Sequence, residues 1–220
     1  MGGKRIKTIA GCVLIAASGL WLFFSSRPTP PFDSRVHQAI GQALGEEAMR
    51  LAAGKGQVVL IQRDTSVIRS PATEAQVASL FRALKAGGSG IRATNSMKVD
   101  PLRVPTVPAG DFYQIVKKAT EGDVVVSLLG PPGTGGPPPG KFEPGAVKVI
   151  ALCSQAVVRS LDLRDLFTRG LLTAAVVDRS SPPGKSGEGL QGRALFDQYY
   201  QVITAANLGE LPGGPGKGGR

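Results

Sequence analysis

Short apolar runs rich in β-branched residues alternate along this chain with segments of helical period, and that alternation limits its fold more than any other feature. Gln57 to Gln62 (QVVLIQ), Val124 to Leu129 (VVVSLL), Val147 to Leu152 (VKVIAL) and Thr173 to Val177 (TAAVV) have the length of strands and almost no polar alternation. Strands that are apolar on both sides belong to a parallel sheet covered on both faces. Ile91 to Val99 differs in alternating, with Ile91, Ala93, Asn95, Met97 and Val99 on one side. The expected fold is α/β: a three-layer domain, Rossmann-like or flavodoxin-like, with a mainly parallel sheet.

The helices carry their own punctuation. A first helix is expected from Asp33 or Ser34 to Gly54-Lys55-Gly56, with Val36, Ile40, Leu44, Ala48 and Leu51 on one face. A second opens at Ser70-Pro71, a capping hydroxyl before a proline in the first turn. It is expected to bury Val77, Leu80, Phe81 and Leu84 before Gly87-Gly88. A third spans Pro108 to Glu121 with Phe112, Ile115, Val116 and Ala119 inward, and a fourth spans Val157 to Thr168. The segment from Phe196 to Ala205 fits helix by its aromatic spacing and strand by its YYQVIT propensity.

An uncharged, mostly apolar run from Thr8 to Phe24 precedes all of this and follows Lys4, Arg5 and Lys7. Its 17 residues span roughly 26 Å as a helix, enough for a thin bilayer core. The basic residues on its amino-terminal side favour a cytoplasmic N-terminus by the positive-inside rule. Ala16-Ala17-Ser18 also fits a signal-peptidase site, and Ile9-Ala10-Gly11-Cys12 a lipobox. An anchor accommodates Leu20 to Phe24 better than either cleavage does. The expected organisation is a basic tip and transmembrane helix (1–26), a Pro-rich stalk (27–31), an extracytoplasmic α/β domain (32–208) and a disordered Gly/Pro tail (209–220). In a Gram-negative host the domain is periplasmic. The expected partners are the bilayer, through residues 8–24, and either a small polar ligand or an envelope protein.

The net charge is +10, and the lysines and arginine before the apolar run account for three of it, leaving +7 beyond. Only Lys117-Lys118 are adjacent in the domain. Dispersed charge of this kind reads as a solvated basic surface, and no nucleic-acid partner is expected. The two cysteines, Cys12 and Cys153, fall in the anchor and in an apolar strand, so no disulfide framework holds the domain.

Gly130-Pro131-Pro132-Gly133-Thr134-Gly135 resembles the opening of a phosphate-binding loop after a strand. Lysine and a hydroxyl residue should follow, but Gly136 and Pro137 stand there. In the shifted frame that ends at Gly140-Lys141, Phe142 occupies the hydroxyl position. The five prolines between Pro131 and Pro139 remove N–H donors that a phosphate cradle needs. No nucleotide or other cofactor is therefore expected.

The chain has no Gly-x-Ser-x-Gly elbow and a single histidine, His37, beside the stalk. Ser154 opens a helix after a strand, yet without an evident base it reads as a helix cap. One histidine and no paired cysteines give no metal site, and no catalytic residue is assigned. Open parallel sheets bind ligands outside the carboxyl ends of their strands. The polar residues there are Arg63 and Asp64, Ser154 and Gln155, and Asp178 and Arg179. These are the candidate ligand-binding residues.

The strands VVVSLLGPP, VKVIALCS and GLLTAAVVDR, the last ending in Asp178-Arg179, resemble one lobe of the sugar-type periplasmic binding proteins across residues 57–180. That resemblance implies a recognition loop at each strand's carboxyl end. The family closes two lobes on its ligand, and this chain has length for one. The expected function is non-catalytic binding of a ligand or partner, the alternatives being an envelope assembly protein and a hydrolase using Ser154 or Asp64.

Overall fold

In the computed structural model the residues described are 18, 21, 32–54, 56–66, 68–100, 104–133, 146–180 and 189–212. The chain divides into two units at Phe32/Asp33, and the fold below is that of the second. The expected anchor, residues 8–24, lies outside the described residues except for Ser18 and Trp21. Among the described residues no helix is long and apolar enough to cross a membrane. The stalk (27–31), most of the Gly/Pro segment with Lys141, and residues 213–220 also lie outside them.

In chain order the elements are α1 (Ser34–Ala52), β1 (Val58–Arg63), α2 (Pro71–Ala86), β2 (Ile91–Met97), α3 (Ala109–Lys118) and β3 (Val124–Ser127). Then come β4 (Lys148–Cys153), α4 (Gln155–Ser160), α5 (Leu163–Thr168), β5 (Ala174–Asp178), α6 (Gly192–Tyr199), β6 (Tyr200–Thr204) and a 3-10 turn (Ala205–Glu210). The strands form one sheet in the order β2-β1-β3-β4-β5-β6. β1 to β5 are mutually parallel and β6 is antiparallel to β5. An order of 2-1-3-4-5 is the flavodoxin-like one, in which the strand order reverses between β1 and β3.

Strand alternation divides the core into two layers. Val59, Ile61, Val125, Val149, Ala151 and Val177 face Phe112 and Ile115 of α3, Val157 of α4 and Leu166 of α5. Val58, Leu60, Val124, Val126, Ile150 and Val176 face Ile40 and Leu44 of α1, Leu80 of α2 and Phe196 of α6. β3 and most of β5 are buried on both sides, as their unbroken apolar runs require. Cys153 is buried in the first of these layers.

Several expectations are corrected. Phe81 is 45% exposed rather than inward. α2 turns Gln76, Ser79, Leu80 and Leu84 inward because it packs on α1 as well as on the sheet. Phe81, next to Leu80 on the helix, falls outside that arc. The expected helix from Val157 to Thr168 is two short ones. The second is capped by the Asp162 carboxylate, which accepts from the Asp165 N–H at 3.1 Å. The segment from Phe196 onward is helix and then strand, without a connecting loop. The Gly/Pro tail does not begin the uncovered region at Gly209. Leu208 packs on the α3–α5 core and Leu211 is buried in it, since residues three apart share a side in a 3-10 turn.

Candidate functional site

The carboxyl ends of β1 to β5 lie along one side of the sheet, and the six candidate residues are distributed among three of them. Arg63 is half-buried at the last position of β1, level with Met97 of β2. Asp64 is consumed locally: its N–H donates to the Met97 carbonyl at 2.7 Å and its Oδ1 accepts from the Ser66 N–H at 2.9 Å. Hydrogen bonds from Ser66 hold the exposed Asp64 carboxyl below its usual range, with Lys98 adding a smaller charge effect.

The reversal point beside β1 is where an open sheet of this order offers a crevice. Here the chain itself occupies the end of β3. The Ser127 hydroxyl donates to the Gly130 carbonyl at 2.6 Å and accepts from the Leu129 N–H at 3.3 Å. Val107 bridges to Pro132, donating to the Pro131 carbonyl at 3.1 Å and accepting from the Gly133 N–H at 2.8 Å. Pro131 and Pro132 are buried. Gly130 has φ +107°, and a Cβ there would strike the Pro105 carbonyl. Over its described part, the phosphate-loop look-alike is thus a buried turn: its prolines lack N–H groups and Gly133 has already spent its own.

Gln155 and Asp178 are brought together between β4 and β5. The Asp178 Oδ2 accepts from the Gln155 N–H at 3.1 Å, which caps α4 from across the strand gap. Ser154 holds the N-cap position, but its hydroxyl makes no capping bond and the residue is exposed. The cap expected of Ser154 is supplied by Asp178. Tyr200 stands directly opposite Asp178 in the β5–β6 ladder, and its hydroxyl acts on the same carboxylate. Burial pushes the Asp178 carboxyl above its ordinary value, against the lowering effect of the Gln155 N–H and the Tyr200 hydroxyl. Burial, and then the Asp178 charge, raises the Tyr200 phenol in turn.

Arg179 turns away from this carboxylate. Its Nε donates to the carbonyls of Asp197 (2.8 Å) and Tyr200 (3.0 Å), and its Nη1 donates to Gln201 Oε1 at 3.2 Å. It fastens the end of α6 to the start of β6. Arg63 and Asp178 do not converge either. They end strands three places apart in the sheet, roughly 14 Å at the usual strand spacing. Alternation also sets Arg63 on the Ile61 face and Asp178 on the Val176 face.

A cavity of about 240 Å³ opens beside Asp178, lined by Gln155, Val158, Arg159, Ser180 and Pro212. It combines a half-buried carboxylate with the guanidinium of Arg159, one helical turn beyond Gln155. Such a pair can bond to a ligand that both donates and accepts. Arg159 was within reach of sequence reasoning through its i+4 spacing from Gln155. Tyr200 was not, because its place depends on the antiparallel β6. A larger groove of about 940 Å³ crosses the outer side of α1, far from the strand ends. Two of its polar groups pair, Gln42 Nε2 donating to Glu46 Oε1 at 2.8 Å, while Glu46 also meets Arg193 at 3.5 Å and Arg35 is held by Asp33 at 2.7 Å. His37, the only histidine, lies on α1 with its Nδ1 at 3.3 Å from Gln76 Nε2. Among the described residues no group of three or more His, Cys, Asp or Glu is placed to hold a metal ion.

No family model matches the chain, and no curated protein sequence matches it. Among solved structures it is similar to the sugar-binding protein of a sugar ABC transporter from Bacillus halodurans (13% identity, TM-score 0.49), over 78% of this chain and 62% of that one. It is similar to an ABC transporter solute-binding protein from Burkholderia graminis, in complex with D-arabinose, at 13% identity and TM-score 0.49, over 78% and 60% of the two chains. An arabinose-binding protein from Geobacillus stearothermophilus gives 15% identity and TM-score 0.48, over 80% and 63%. The chain spans about 60% of the length of these proteins. The likeness to such proteins is partial and assigns no ligand.

Proposed function

We propose that the protein is a membrane-anchored, extracytoplasmic α/β domain that binds a small polar ligand without transforming it. The observation that carries this reading is the half-buried Asp178 carboxylate, which lines a cavity with Arg159 and is held by Gln155 and Tyr200. A carboxylate fixed in a partly desolvated cavity hydrogen-bonds hydroxyl or amine groups strongly. A polyhydroxyl ligand such as a monosaccharide supplies both the donors and the acceptors that this pair requires. Arg63, Asp64, Ser154 and Arg179 are retained in the proposal as residues at the rim of the strand ends. The anchor at residues 8–24 places the domain across the membrane from the basic tip.

The test is a thermal-shift and calorimetric screen of the full-length chain in mild detergent against pentoses, hexoses and nucleosides. A ligand that binds the folded state raises apparent stability with the logarithm of its concentration over Kd. Asp178→Asn retains an oxygen for the Gln155 N–H but loses the charge. Binding should weaken roughly 10- to 100-fold in that variant, the range of a hydrogen bond to a charged group. A ligand whose affinity is unchanged in Asp178→Asn overturns the site.

An assembly role is the second reading. The buried turn from Gly130 to Gly133 fills the end of β3, so the position most used by this fold for ligands is built as scaffold.

A further inference from the structure

β2 ends the sheet on one side, and among the described residues it pairs only with β1. It is a seven-residue strand in which Arg92, Ala93, Thr94 and Ser96 are exposed and none of the seven is fully buried. Edge strands are ordinarily blunted by proline, by lysine, by shortness, by a bulge, by an inward-pointing charge or by a covering element, because their outward N–H and C=O groups template another strand. β2 has neither proline nor lysine. Its one charge, Arg92, is turned inward across the sheet, with Nε 3.2 Å from Oδ2 of the buried Asp123, and so blunts the edge at its amino end alone. The register shift lies at the amino end, between Ile91 and Ala93, and leaves Ala93 to Met97 regular.

The Met97 carbonyl accepts from Asp64 of β1. In a regular parallel pair the backbone groups of Met97, Asn95 and Ala93 therefore face β1, while those of Thr94 and Ser96 face outward. We propose that this edge joins a second copy of the same chain, β2 against β2 antiparallel about a two-fold axis through Asn95. The regular segment complements itself in that register. Thr94 and Ser96 exchange main-chain bonds with Ser96 and Thr94 of the second copy, and their hydroxyls lie opposite each other on one face. On the other face Ala93 meets Met97, and Asn95 meets Asn95. Thr–Ser hydroxyl pairs and apolar pairs are the favourable cross-strand combinations. A slip of two residues, which moves the axis to Thr94, would bring the bulged Arg92 opposite Ser96 and interrupt the ladder. An isologous contact of this kind closes, giving a dimer with one continuous sheet and no growing fibre.

A single strand-to-strand contact is small beside a standard interface, so the test traps it. In full-length chain carrying Cys12→Ser, single cysteines replace Thr94, Asn95 or Ser96 in turn, and mild oxidation is followed on non-reducing gels. Facing Asn95 residues form a non-hydrogen-bonded pair with Cα atoms about 4.5 Å apart, inside disulfide range. Thr94 and Ser96 each lie two residues from their own mates, about 8 Å away with the strand separation included. Asn95→Cys should therefore dimerise by itself at least about tenfold faster than Thr94→Cys or Ser96→Cys, and a mixture of those two should link to each other. Ser96→Pro, which removes an outward N–H but none bonded to β1, should abolish the Asn95→Cys dimer while the thermal unfolding of the chain is retained. Equal linking at all three positions, self-linking at Thr94 alone, linking to a different protein, or persistence of the dimer in Ser96→Pro would each overturn the proposal.

Discussion

Asp123 shows how one side chain fixes the amino end of the sheet. It is fully buried just before β3, where its carboxylate accepts from the Gln57 N–H (3.0 Å), the Thr120 N–H (2.8 Å) and the Thr120 hydroxyl (3.0 Å). Burial works to raise its pKa, but these bonds, together with the Arg92 charge, outweigh it and leave the group below its ordinary 3.8. The native pKa therefore lies under the unfolded one. The stabilisation is complete above the unfolded value, about pH 4, and is lost as pH falls through the native one. Asp123→Asn replaces one acceptor oxygen with an NH2 group aimed at donors, and should cost on the order of 3 kcal/mol in urea melts at pH 7. The variant should also show a flatter acid limb than the parent. Asp123 was not among the candidate residues, since a carboxylate next to a strand looks the same in sequence whether it serves a loop or a ligand. The same blindness applies to Asp178 and Arg179. Adjacent in sequence, they part where β5 ends at Asp178, one lying beside the cavity and the other bonded to the carbonyls of α6 and β6.

At the scale of elements, sequence pattern located five of the six strands and most helices, β1, β3, β4 and β5 by their unbroken apolar runs and β2 by alternation, while β6 stayed open between helix and strand. It did not show what the helices lean on. α1 has buried Ala39, Ile40, Gly41, Ala43, Leu44, Gly45 and Ala48, an arc wider than the expected Val36–Ile40–Leu44–Ala48–Leu51 stripe. The extra width is the contact with α2. A Cβ on Gly41 would strike the Gln76 carbonyl, and one on Gly45 would lie 2.7 Å from the Ala83 methyl. Glycine carries no hydrophobic signal, so this close approach is silent in the sequence. Gly110, exposed in the first turn of α3, has open space around it. Gly41→Ala should lower stability by roughly 1–3 kcal/mol through overpacking, against the helix-propensity gain. Gly110→Ala should leave stability unchanged or raise it by up to about 1 kcal/mol. Thermal melts of the two variants separate close packing from propensity. If Gly41→Ala is the more stable, the α1–α2 contact is looser than described. Strand direction at β6 has a similar origin. α6 returns the chain to the carboxyl end of β5, where Asp178 pairs with Tyr200, so β6 has to run antiparallel.

For the whole molecule, sequence pattern supplied the layers but not the order of strands, since each strand run is compatible with several neighbours. The order 2-1-3-4-5 puts the reversal point at the β1–β3 boundary, where the chain buries its own turn. The address of the molecule rests on different physics, the asymmetry of charge about residues 8–24. Lys4, Arg5 and Lys7 precede that run, and Arg27 alone follows closely. Loops rich in lysine and arginine stay cytoplasmic, so the α/β domain should be exported. A phosphatase reporter fused after Arg220 should be active, and a fluorescent reporter that folds only in the cytoplasm should stay dark at the same position. Mass spectrometry of the mature chain should recover residues 8–24 intact. Substituting Lys4, Arg5 and Lys7 with glutamine while adding three lysines after Arg27 should invert both reporters if charge sets the orientation. Should the reporters keep their original pattern, another determinant orients the chain, and a mature N-terminus at Gly19 would replace the anchor with a cleaved signal.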